Sequence, residues 1–456
     1  MKAIGLALLA LLVLPPAGGV TTTAASSQHK KPKPKPKPKK KKKKKRATRV
    51  VIHVSAAQRA KAVDEVTHDL AEPLAFDNPA GLIAFFETLY QARQHPAPVH
   101  VLQFGDSHTA SDDWVNAMRQ LAQAKFGDGG PGFVYPGQPF HGFRRYDARG
   151  SSSYYWHTDG TTASPGDGRV GLGISIDTDR TGQTVNLDAT GARAALYYLQ
   201  EAGGGVMDLS VDGFDSSEVV ASGDSGLGVW THDAGVGPTH YTLRTVSSSP
   251  VRILGWAVDN PTGITWETMG INGAQAGIMN GWDDPLFAAL ISSRAPALVI
   301  LAYGTNEALN RSFSPEEYRE SFRNVIRKVR RATPVASILV VGPPDCYLRR
   351  RRSLGPFPWL DQVIEIQRRV AMEQGCAFWD WRQRMGGAGS KHQWVVSGFA
   401  QGDYVHFTGA GYELLGRALF SDLMLQYDTF LKVREEPENE QPGQNRGNSE
   451  GSVAKP

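Results

Sequence analysis

The pattern of apolar residues between positions 99 and 127 predicts a buried strand followed by a helix. The run from Val99 to Phe104 has the length and composition of a buried strand. Ser111 is expected to be the N-cap of the helix, with the carboxylates of Asp112 and Asp113 in its first turn. The apolar positions that follow recur at helical spacing, and they are Trp114, Val115, Met118, Leu121, Ala122 and Phe126. Gly105-Asp106-Ser107 therefore lies between the end of a strand and the start of a helix.

Strand-like and helical patterns alternate again between about residue 270 and residue 427. Upstream, Asn78 and Pro79 predict the start of a helix that leads into the strand at Val99. The downstream elements are a strand over 297–303, a helix capped by Ser314, a strand over 337–341, a helix over 358–374, a strand over 377–379 and a helix over 408–427. This alternation is typical of a parallel sheet covered by helices on both faces, so the fold class is α/β.

The chain between about Gly130 and Asn260 has a different pattern, with frequent Gly, Ser, Thr and Asp and with short strand-like runs. Strands are predicted over 195–199, 206–213, 240–243 and 251–258. Short strands separated by turns favour a β-sandwich or jelly roll inserted into the α/β domain. Its aromatic residues are open to two interpretations, as core residues or as flat surfaces for sugar stacking; they are Tyr154, Tyr155, Trp156 and Trp230.

The two ends of the chain are expected to lie outside these domains. Residues 1–25 have a charged start and an apolar run of signal-peptide length, although an uncleaved anchor is an alternative. Residues 26–49 form a Lys/Pro-rich disordered linker, and residues 431–456 form a disordered tail. The predicted domains are then an α/β domain in two parts, 50–129 and 261–430, and the inserted β-sandwich over 130–260. We expect an exported protein, periplasmic or associated with the cell envelope.

The positive charge of the chain belongs to the linker. Residues 30–46 contain 13 basic residues and no acidic one, so the rest of the chain carries about −8 of the formal net charge of +5. Behind a signal peptide, such a segment is expected to contact an anionic envelope polymer and not nucleic acid. The alternative is that it is only a spacer.

The two cysteines are expected to remain free thiols. Cys346 follows one predicted strand and Cys376 precedes the next, which places them at opposite edges of a parallel sheet. That separation exceeds the distance of about 7 Å that a disulfide can bridge. Two cysteines without a CxxC pattern also make a zinc site an unfavourable interpretation.

Four short motifs at predicted strand ends have the composition that serine acyl hydrolysis needs. Ser107 would be the nucleophile, His406 would take its proton, and Asp403, three residues earlier, would orient the imidazole. Gly273 follows Asn272, and Asn306 follows an apolar strand. The backbone N–H groups of Ser107 and Gly273 and the side-chain amide of Asn306 could hold the oxyanion, each contributing on the order of 3 kcal/mol.

The order of these motifs resembles the four blocks of the SGNH (GDSL-like) hydrolases. The motifs are Gly105-Asp106-Ser107, Gly273, Gly304-Thr305-Asn306 and Asp403-Tyr404-Val405-His406, and the resemblance covers roughly residues 97–127 and 264–428. It implies a flavodoxin-like three-layer domain with Ser107, His406 and Asp403 as catalytic residues and with Ser107, Gly273 and Asn306 as the oxyanion hole. It implies neither a metal nor another cofactor.

Two further features resemble the exported peptidoglycan O-acetylesterase branch of this family. His108 stands where the more familiar pattern has leucine, and a β-rich block separates the first two motifs, where that branch carries a carbohydrate-binding-like domain. The resemblance implies an esterase that removes acetyl groups from a cell-wall glycan. A polysaccharide O-acetyltransferase, a lipase or thioesterase, and a non-catalytic glycan-binding protein are the alternatives, and the oligomeric state is left open.

Several residues near the motifs have structural interpretations. His108 is expected to shape the pocket or pack against the helix start, and Asp106 to accept backbone N–H groups of the turn. Asp112 and Asp113 are interpreted as helix-start charges. His392 and Trp394 are assigned to packing in an exposed loop, with a role in lining the acyl pocket as the alternative. The four arginines from Arg349 to Arg352 are interpreted as a solvated loop, with contact to an anionic glycan as the alternative.

Overall fold

The computed structural model describes residues 54–439 except 236, 351 and 352. The predicted signal peptide, the Lys/Pro-rich linker and the end of the predicted tail lie outside these residues. Among the described helices, none combines the length and the apolar character needed to cross a bilayer.

In the sequence, the helices precede β2 (Gly132–Val134) or follow β13 (Gly263–Gly270). They are α1 (Ala56–Asp69), α2 (Ile83–Gln94), α3 (Ser107–Ala110), α4 (Asp113–Phe126), α5 (Asp284–Arg294), α6 (Thr305–Leu309), α7 (Pro315–Ala332), α8 (Leu360–Glu373), α9 (Trp381–Arg384), α10 (Lys391–Ser397) and α11 (Gly409–Asn439), with 3-10 turns at Pro79–Leu82 and Ala276–Gly281.

The strands form four sheets. They are β1 (Pro98–Gly105), β2 (Gly132–Val134), β3 (Ala148–Ser152), β4 (His157–Asp159), β5 (Ser175–Thr178), β6 (Thr184–Thr190), β7 (Arg193–Gln200), β8 (Val206–Val211), β9 (Phe214–Val220), β10 (Gly226–Asp233), β11 (Pro238–Thr245), β12 (Val251–Asp259), β13 (Gly263–Gly270), β14 (Leu298–Ala302), β15 (Ser337–Val341), β16 (Tyr347–Arg350), β17 (Ser353–Pro356) and β18 (Ala377–Trp379).

A parallel sheet organises the α/β part of the chain, in the strand order β13-β1-β14-β15-β18. Gly105 at the end of β1 pairs with Gly270 of β13 and with Ala302 of β14, so these three strands end at the same level. The residues that follow them meet at one edge of the sheet. The predicted α/β class and parallel sheet are confirmed; β13 is an additional strand that the sequence-based assignment lacks.

Helices cover both faces of this sheet. Successive side chains of β1 point to opposite faces, and β1 has apolar side chains on each of them. Leu102 and Phe104 belong to one buried cluster, together with residues of α5, α7 and α8. Val99 and Val101 belong to a second cluster, together with residues of α2, α4 and α11. Each of these fully buried side chains contributes about 2 kcal/mol, so β1 is fixed from both sides of the sheet.

The chain between β1 and β13 forms two antiparallel sheets that share one apolar cluster. One sheet has the order β10-β7-β12-β5-β4, with β2 also paired to β12, and the other has the order β3-β6-β11-β8-β9. Their shared cluster includes Leu196 and Trp256 from the first sheet and Leu187 and Tyr241 from the second. The strands predicted over 195–199, 206–213, 240–243 and 251–258 are confirmed. The carbohydrate-binding-like character of this region, called the antiparallel block below, stays a prediction.

The four aromatic residues proposed for sugar stacking divide into two pairs. Trp156 and Trp230 are partly buried against the apolar cluster of the block, and the indole N–H of Trp156 donates to the Thr184 carbonyl at 3.1 Å. Tyr154 and Tyr155 are 89% and 52% exposed. The core interpretation therefore applies to the two tryptophans, and the two tyrosines are on the surface.

Three sequence-based assignments differ from the structure. The N-cap of α4 is Asp112, with φ of +59°, and Ser111 instead follows α3. The final helix passes the predicted end of the α/β domain at 430 and continues to Asn439. Arg349 and Arg350 lie in the β16–β17 hairpin and not in a loop, while Arg351 and Arg352 are outside the described residues. The prediction of two free cysteines is confirmed, and both are buried.

Candidate functional site

Ser107 is the first residue of α3, directly beyond the end of β1. The approach of the helix to the sheet requires glycine at 105, because a Cβ there would lie 2.2 Å from the Thr109 hydroxyl oxygen and 2.8 Å from the Ala302 carbonyl. Asp106 caps α3 by accepting the backbone N–H of His108 at 2.9 Å, as predicted. Burial raises the pKa of Asp106 to about 6, although this hydrogen bond acts in the opposite direction.

Three side chains that are far apart in the sequence form one hydrogen-bonded chain. The hydroxyl oxygen of Ser107 lies 3.1 Å from Nε2 of His406, and Nδ1 of the same ring lies 2.8 Å from Oδ2 of Asp403. The imidazole of His406 is partly exposed, with a relative side-chain accessibility of 36%. This geometry gives one ring nitrogen to the serine and the other to the carboxylate, which is the arrangement that proton transfer from a serine hydroxyl requires.

The loop that carries Asp403 and His406 is held by its own carboxylate. Oδ1 of Asp403 accepts the backbone N–H groups of Val405 at 2.9 Å and of His406 at 3.0 Å. Burial acts to raise the pKa of Asp403, but the hydrogen bonds from His406 and from these two N–H groups outweigh it and lower the pKa to about 2. Asp403 is therefore ionised at neutral pH.

A buried lysine of α10 also holds this loop. Nζ of Lys391 donates to the Val405 carbonyl at 2.6 Å and lies 3.3 Å from the centre of the Phe407 ring. Burial lowers the pKa of Lys391 to about 8, while Cys346, Asp403 and Asp345 act to raise it. Tyr404, in the same loop, has a left-handed φ of +64°. The loop therefore has a strained residue, and hydrogen bonds from its own Asp403 and from Lys391 hold it in place.

The predicted oxyanion donors Gly273 and Asn306 follow β13 and β14, the two strands that flank β1. Gly273 has φ of +74°, in a turn that follows β13. One N–H of the Asn306 side-chain amide donates to the Ala274 carbonyl at 2.9 Å, which ties Asn306 to that turn. An amide nitrogen carries two N–H groups, so a second donor remains on Asn306. Within the described residues, the backbone N–H groups of Ser107 and Gly273 donate to no protein acceptor, so they are available to a ligand.

The residue after Asn306 supplies a buried carboxyl group behind these donors. Oε1 of Glu307 accepts the backbone N–H of Ala276 at 2.7 Å, and Oε2 has no hydrogen-bond partner among the described residues. Burial raises the pKa of Glu307 to about 7. Glu307 therefore ties α6 to the 3-10 turn that follows the Gly273 turn, and its protonated form is favoured below neutral pH.

The predicted packing role of His108 agrees with its position. Its ring is buried, Nδ1 lies 2.7 Å from the Tyr412 hydroxyl, and its centre lies 5.3 Å from the His406 ring. Burial lowers the pKa of His108 well below the usual histidine value, and the charges of His406 and Lys391 lower it further. The neutral His108 ring forms part of the packing beneath His406.

The interpretation of Asp112 is incomplete, and that of Trp394 is wrong. Asp112 does stand at the start of α4, but its side chain does not cap the helix; it is buried, pairs with Arg119 at 2.8 Å and accepts from the Tyr146 backbone N–H at 2.9 Å. Trp394 is fully buried in α10, where its indole N–H donates to the Met385 carbonyl at 2.9 Å, so it is a core residue and not part of an exposed loop. His392 remains exposed, with Nδ1 3.2 Å from the Tyr404 hydroxyl.

Two groups of histidine and carboxylate side chains elsewhere have ligand atoms within 4.8 Å of one another; they are His100, Asp259 and Glu267, and His157, Asp159 and Asp177. An arginine lies against the carboxylates of each group. Arg294 contacts Glu267 and Asp259 at 2.7 Å, and Arg252 approaches Asp159 to 3.6 Å. The arginines already supply the positive charge that these carboxylates need, and neither group contains a member of the Ser107 site.

The parallel sheet and the site at its carboxyl edge define an α/β enzyme. The GDSL-like lipase/acylhydrolase family model matches residues 230–414, a range that does not include Ser107. A solved structure of a peptidoglycan O-acetylesterase is 30% identical, with a TM-score of 0.66, over 76% of this chain and 96% of that one. The chain therefore belongs to the GDSL-like lipase/acylhydrolase family, and it is a carboxylic ester hydrolase.

Other solved structures are similar over smaller or less identical regions. A family two carbohydrate esterase from Clostridium thermocellum is 16% identical with a TM-score of 0.28, over 65% of this chain and 98% of that one. An acetyl xylan esterase is 17% identical with a TM-score of 0.29, over 35% of this chain and 80% of that one. A comparison with curated protein sequences gives no match.

Proposed function

We propose that this protein is an exported serine esterase that removes O-acetyl groups from a cell-envelope polysaccharide, namely peptidoglycan. The observation that carries the proposal is the Ser107–His406–Asp403 chain, with contacts of 3.1 and 2.8 Å. Its substrate class rests on the identity of 30% with a peptidoglycan O-acetylesterase over 96% of that protein. The serine mechanism, the export and the substrate are parts of this proposal.

In the first half of the reaction, the acetyl group moves from the sugar to the serine. Ser107 attacks the acetyl carbonyl carbon while Nε2 of His406 takes the hydroxyl proton, and Asp403 stabilises the imidazolium that forms. The negative charge on the carbonyl oxygen is held by the N–H groups of Ser107, Gly273 and Asn306. The bond to the sugar oxygen then breaks, and His406 returns the proton to that oxygen.

In the second half of the reaction, water takes the place of the sugar hydroxyl. His406 removes a proton from the water molecule as its oxygen attacks the acetyl-serine carbonyl. The same three donors hold the oxyanion, and the proton returns to Ser107 as acetate leaves. The partial exposure of His406, 36% for its side chain, supports this step because water can reach the imidazole.

The regions outside the α/β part have proposed roles in reaching the polymer. The antiparallel block is proposed to be a carbohydrate-binding-like domain. Its exposed Tyr154 offers a flat surface for a sugar ring, whereas Arg180 lies over the Tyr155 ring at 4.2 Å. The Lys/Pro-rich segment over residues 26–49 is proposed to keep the enzyme near an anionic envelope polymer. Neither role requires a change at the Ser107 site.

The test of the proposed function is acetate release from O-acetylated peptidoglycan by the purified protein and by Ser107→Ala. Ser248→Ala is the matched control, because Ser248 is exposed in the antiparallel block. We expect acetate from the wild type and from the control, and none from Ser107→Ala. Full activity of Ser107→Ala would contradict the serine mechanism. Cleavage of a small aryl acetate without release from the polymer would retain the esterase and reject the polymer as its substrate.

A further inference from the structure

Two loops of the antiparallel block contact the turn that contains Gly273. The hydroxyl of Thr162, in the connection between β4 and β5, donates to the backbone carbonyl of Asn272 at 3.2 Å. The side-chain amide of Asn272 donates to the backbone carbonyl of His141, in the connection between β2 and β3, at 3.1 Å. Asn272 is therefore held by the block at both its main chain and its side chain.

The carbonyl that accepts the Thr162 hydroxyl belongs to the same peptide unit as the N–H of Gly273. This unit is planar, so fixing the direction of the C=O also fixes the direction of the N–H on its opposite side. A hydrogen bond to the carbonyl oxygen also polarises the amide and strengthens the hydrogen bond that its N–H can donate. One threonine hydroxyl can therefore both orient and strengthen a donor to the oxyanion.

Thr162 also lies next to Gly273 itself, on the side where a side chain would project. A Cβ built on Gly273 would lie 3.6 Å from the hydroxyl oxygen of Thr162 and 3.9 Å from its methyl carbon, and within 4 Å it meets no other described atoms outside the turn. Gly273 itself has φ of +74°, a conformation that glycine adopts without a steric penalty. The hydroxyl of Thr162 is thus in position to limit rotation of the Asn272–Gly273 peptide.

We infer that Thr162 is a positioning residue of the esterase, which holds and polarises the Asn272–Gly273 peptide so that the Gly273 N–H faces the oxyanion. The inference rests on the proposed function, because it assigns that N–H to the oxyanion hole. It also gives the antiparallel block a part in the chemical step, in addition to any contact with the glycan. Gly273 has no side chain to remove, and Thr162 is therefore the residue through which this donor can be tested.

The experiment measures kcat and KM for a small aryl acetate, which needs no glycan contact. Thr162→Val removes the hydroxyl and keeps the shape, Thr162→Ser restores the hydroxyl, and Thr231→Val is the matched control on β10, where Thr231 is exposed. We expect Thr162→Val to lower kcat roughly five- to tenfold with KM unchanged. Thr162→Ser and Thr231→Val should stay within about twofold of the wild type, on the same grounds.

Thr162→Ala serves as a second variant, and the thermal unfolding midpoint of every variant is measured beside the kinetics. A loss in kcat for both Thr162→Val and Thr162→Ala at an unchanged midpoint supports the inference. A kcat within twofold of wild type for Thr162→Val overturns it. A loss confined to KM or to the polymeric substrate also overturns it, since Thr162 would then be a substrate contact. Activity that persists in Ser107→Ala would instead reject the proposed function, so the two failures are distinguishable.

Discussion

Asp403 contacts His406 through both of its carboxylate oxygens. Oδ2 lies 2.8 Å from ring nitrogen Nδ1, and Oδ1 accepts the backbone N–H of the same histidine at 3.0 Å. Because the two residues are three positions apart, the one Asp403 side chain can hold both the ring and the backbone of His406. A larger separation would need a second residue to hold the loop.

Asp403→Asn should lower kcat by roughly 10³- to 10⁴-fold while the fold is retained. The asparagine oxygen can still accept the two backbone N–H groups, but its NH₂ group faces Nδ1 of His406 and favours the tautomer with the proton on the wrong nitrogen. The measurement is kcat for an aryl acetate together with the circular dichroism spectrum. A variant with wild-type kcat would mean that Asp403 does not orient the base.

Asn306→Ala should lower kcat by about 10²- to 10³-fold with a smaller change in KM, because the amide donor acts on the oxyanion more than on the bound ester. The change also removes the bond of 2.9 Å to the Ala274 carbonyl. Asn310→Ala, four residues further along, is the control and should retain activity. Equal losses in the two variants would indicate a general disturbance of α6 and not the loss of an oxyanion donor.

His108→Phe and His406→Phe should separate the two histidines that flank the serine. His406→Phe should reduce activity by at least about 10³-fold because it removes the base. His108→Phe should stay within roughly tenfold of wild type but unfold at about 1–2 kcal/mol lower free energy, because the Tyr412 hydroxyl loses its partner at 2.7 Å. Inactivity of His108→Phe with a native spectrum would show that His108 acts in the reaction.

Lys391→Met should change the pH dependence of stability in a defined direction. The pKa of Lys391 is lowered by burial from 10.5 to about 8 in the folded protein. Between these values the unfolded chain binds one more proton than the folded chain, so this group contributes stability that is present above 10.5 and is lost as pH falls through 8. Relative to Lys391→Met, the free energy of unfolding of the wild type should rise by about 2 kcal/mol from pH 8 to pH 10.

Urea unfolding at the two pH values measures this difference, with Lys432→Met as the control because Lys432 is exposed on α11. The control should follow the wild type at both pH values. A parallel pH dependence in the wild type and in Lys391→Met would mean that Lys391 keeps its proton in the folded protein throughout this range.

The site motifs could be located from the sequence because their positions depend on local patterns. Apolar runs end at Phe104 and Tyr303, and the residues after parallel strands meet at one edge of a sheet. The sequence therefore predicts that Ser107 and Asn306 are neighbours. The same reasoning assigned Asp106 to the turn, because an aspartate before a helix accepts N–H groups of its first residues.

The supporting residues could not be found in this way because their partners are distant in the sequence. Thr162 contacts a carbonyl 110 residues away. The local sequence does not distinguish Lys391 from other helical lysines, because its role depends on the contact with Val405. Asp112 has the sequence pattern of a helix-start charge, yet Arg119 and Thr268 draw it into the interior. In each case a tertiary partner, and not the local pattern, determines what the side chain does.

The position of β1 between β13 and β14 has a consequence for synthesis of the chain. Both hydrogen-bonding edges of this apolar strand stay open until residues 263–270 and 298–302 have been made. The antiparallel block is complete earlier, with its last strand ending at Asp259. A nascent chain that stops between the block and β13 would present the Ser107 strand as an unpaired template, a form in which strands associate with other chains.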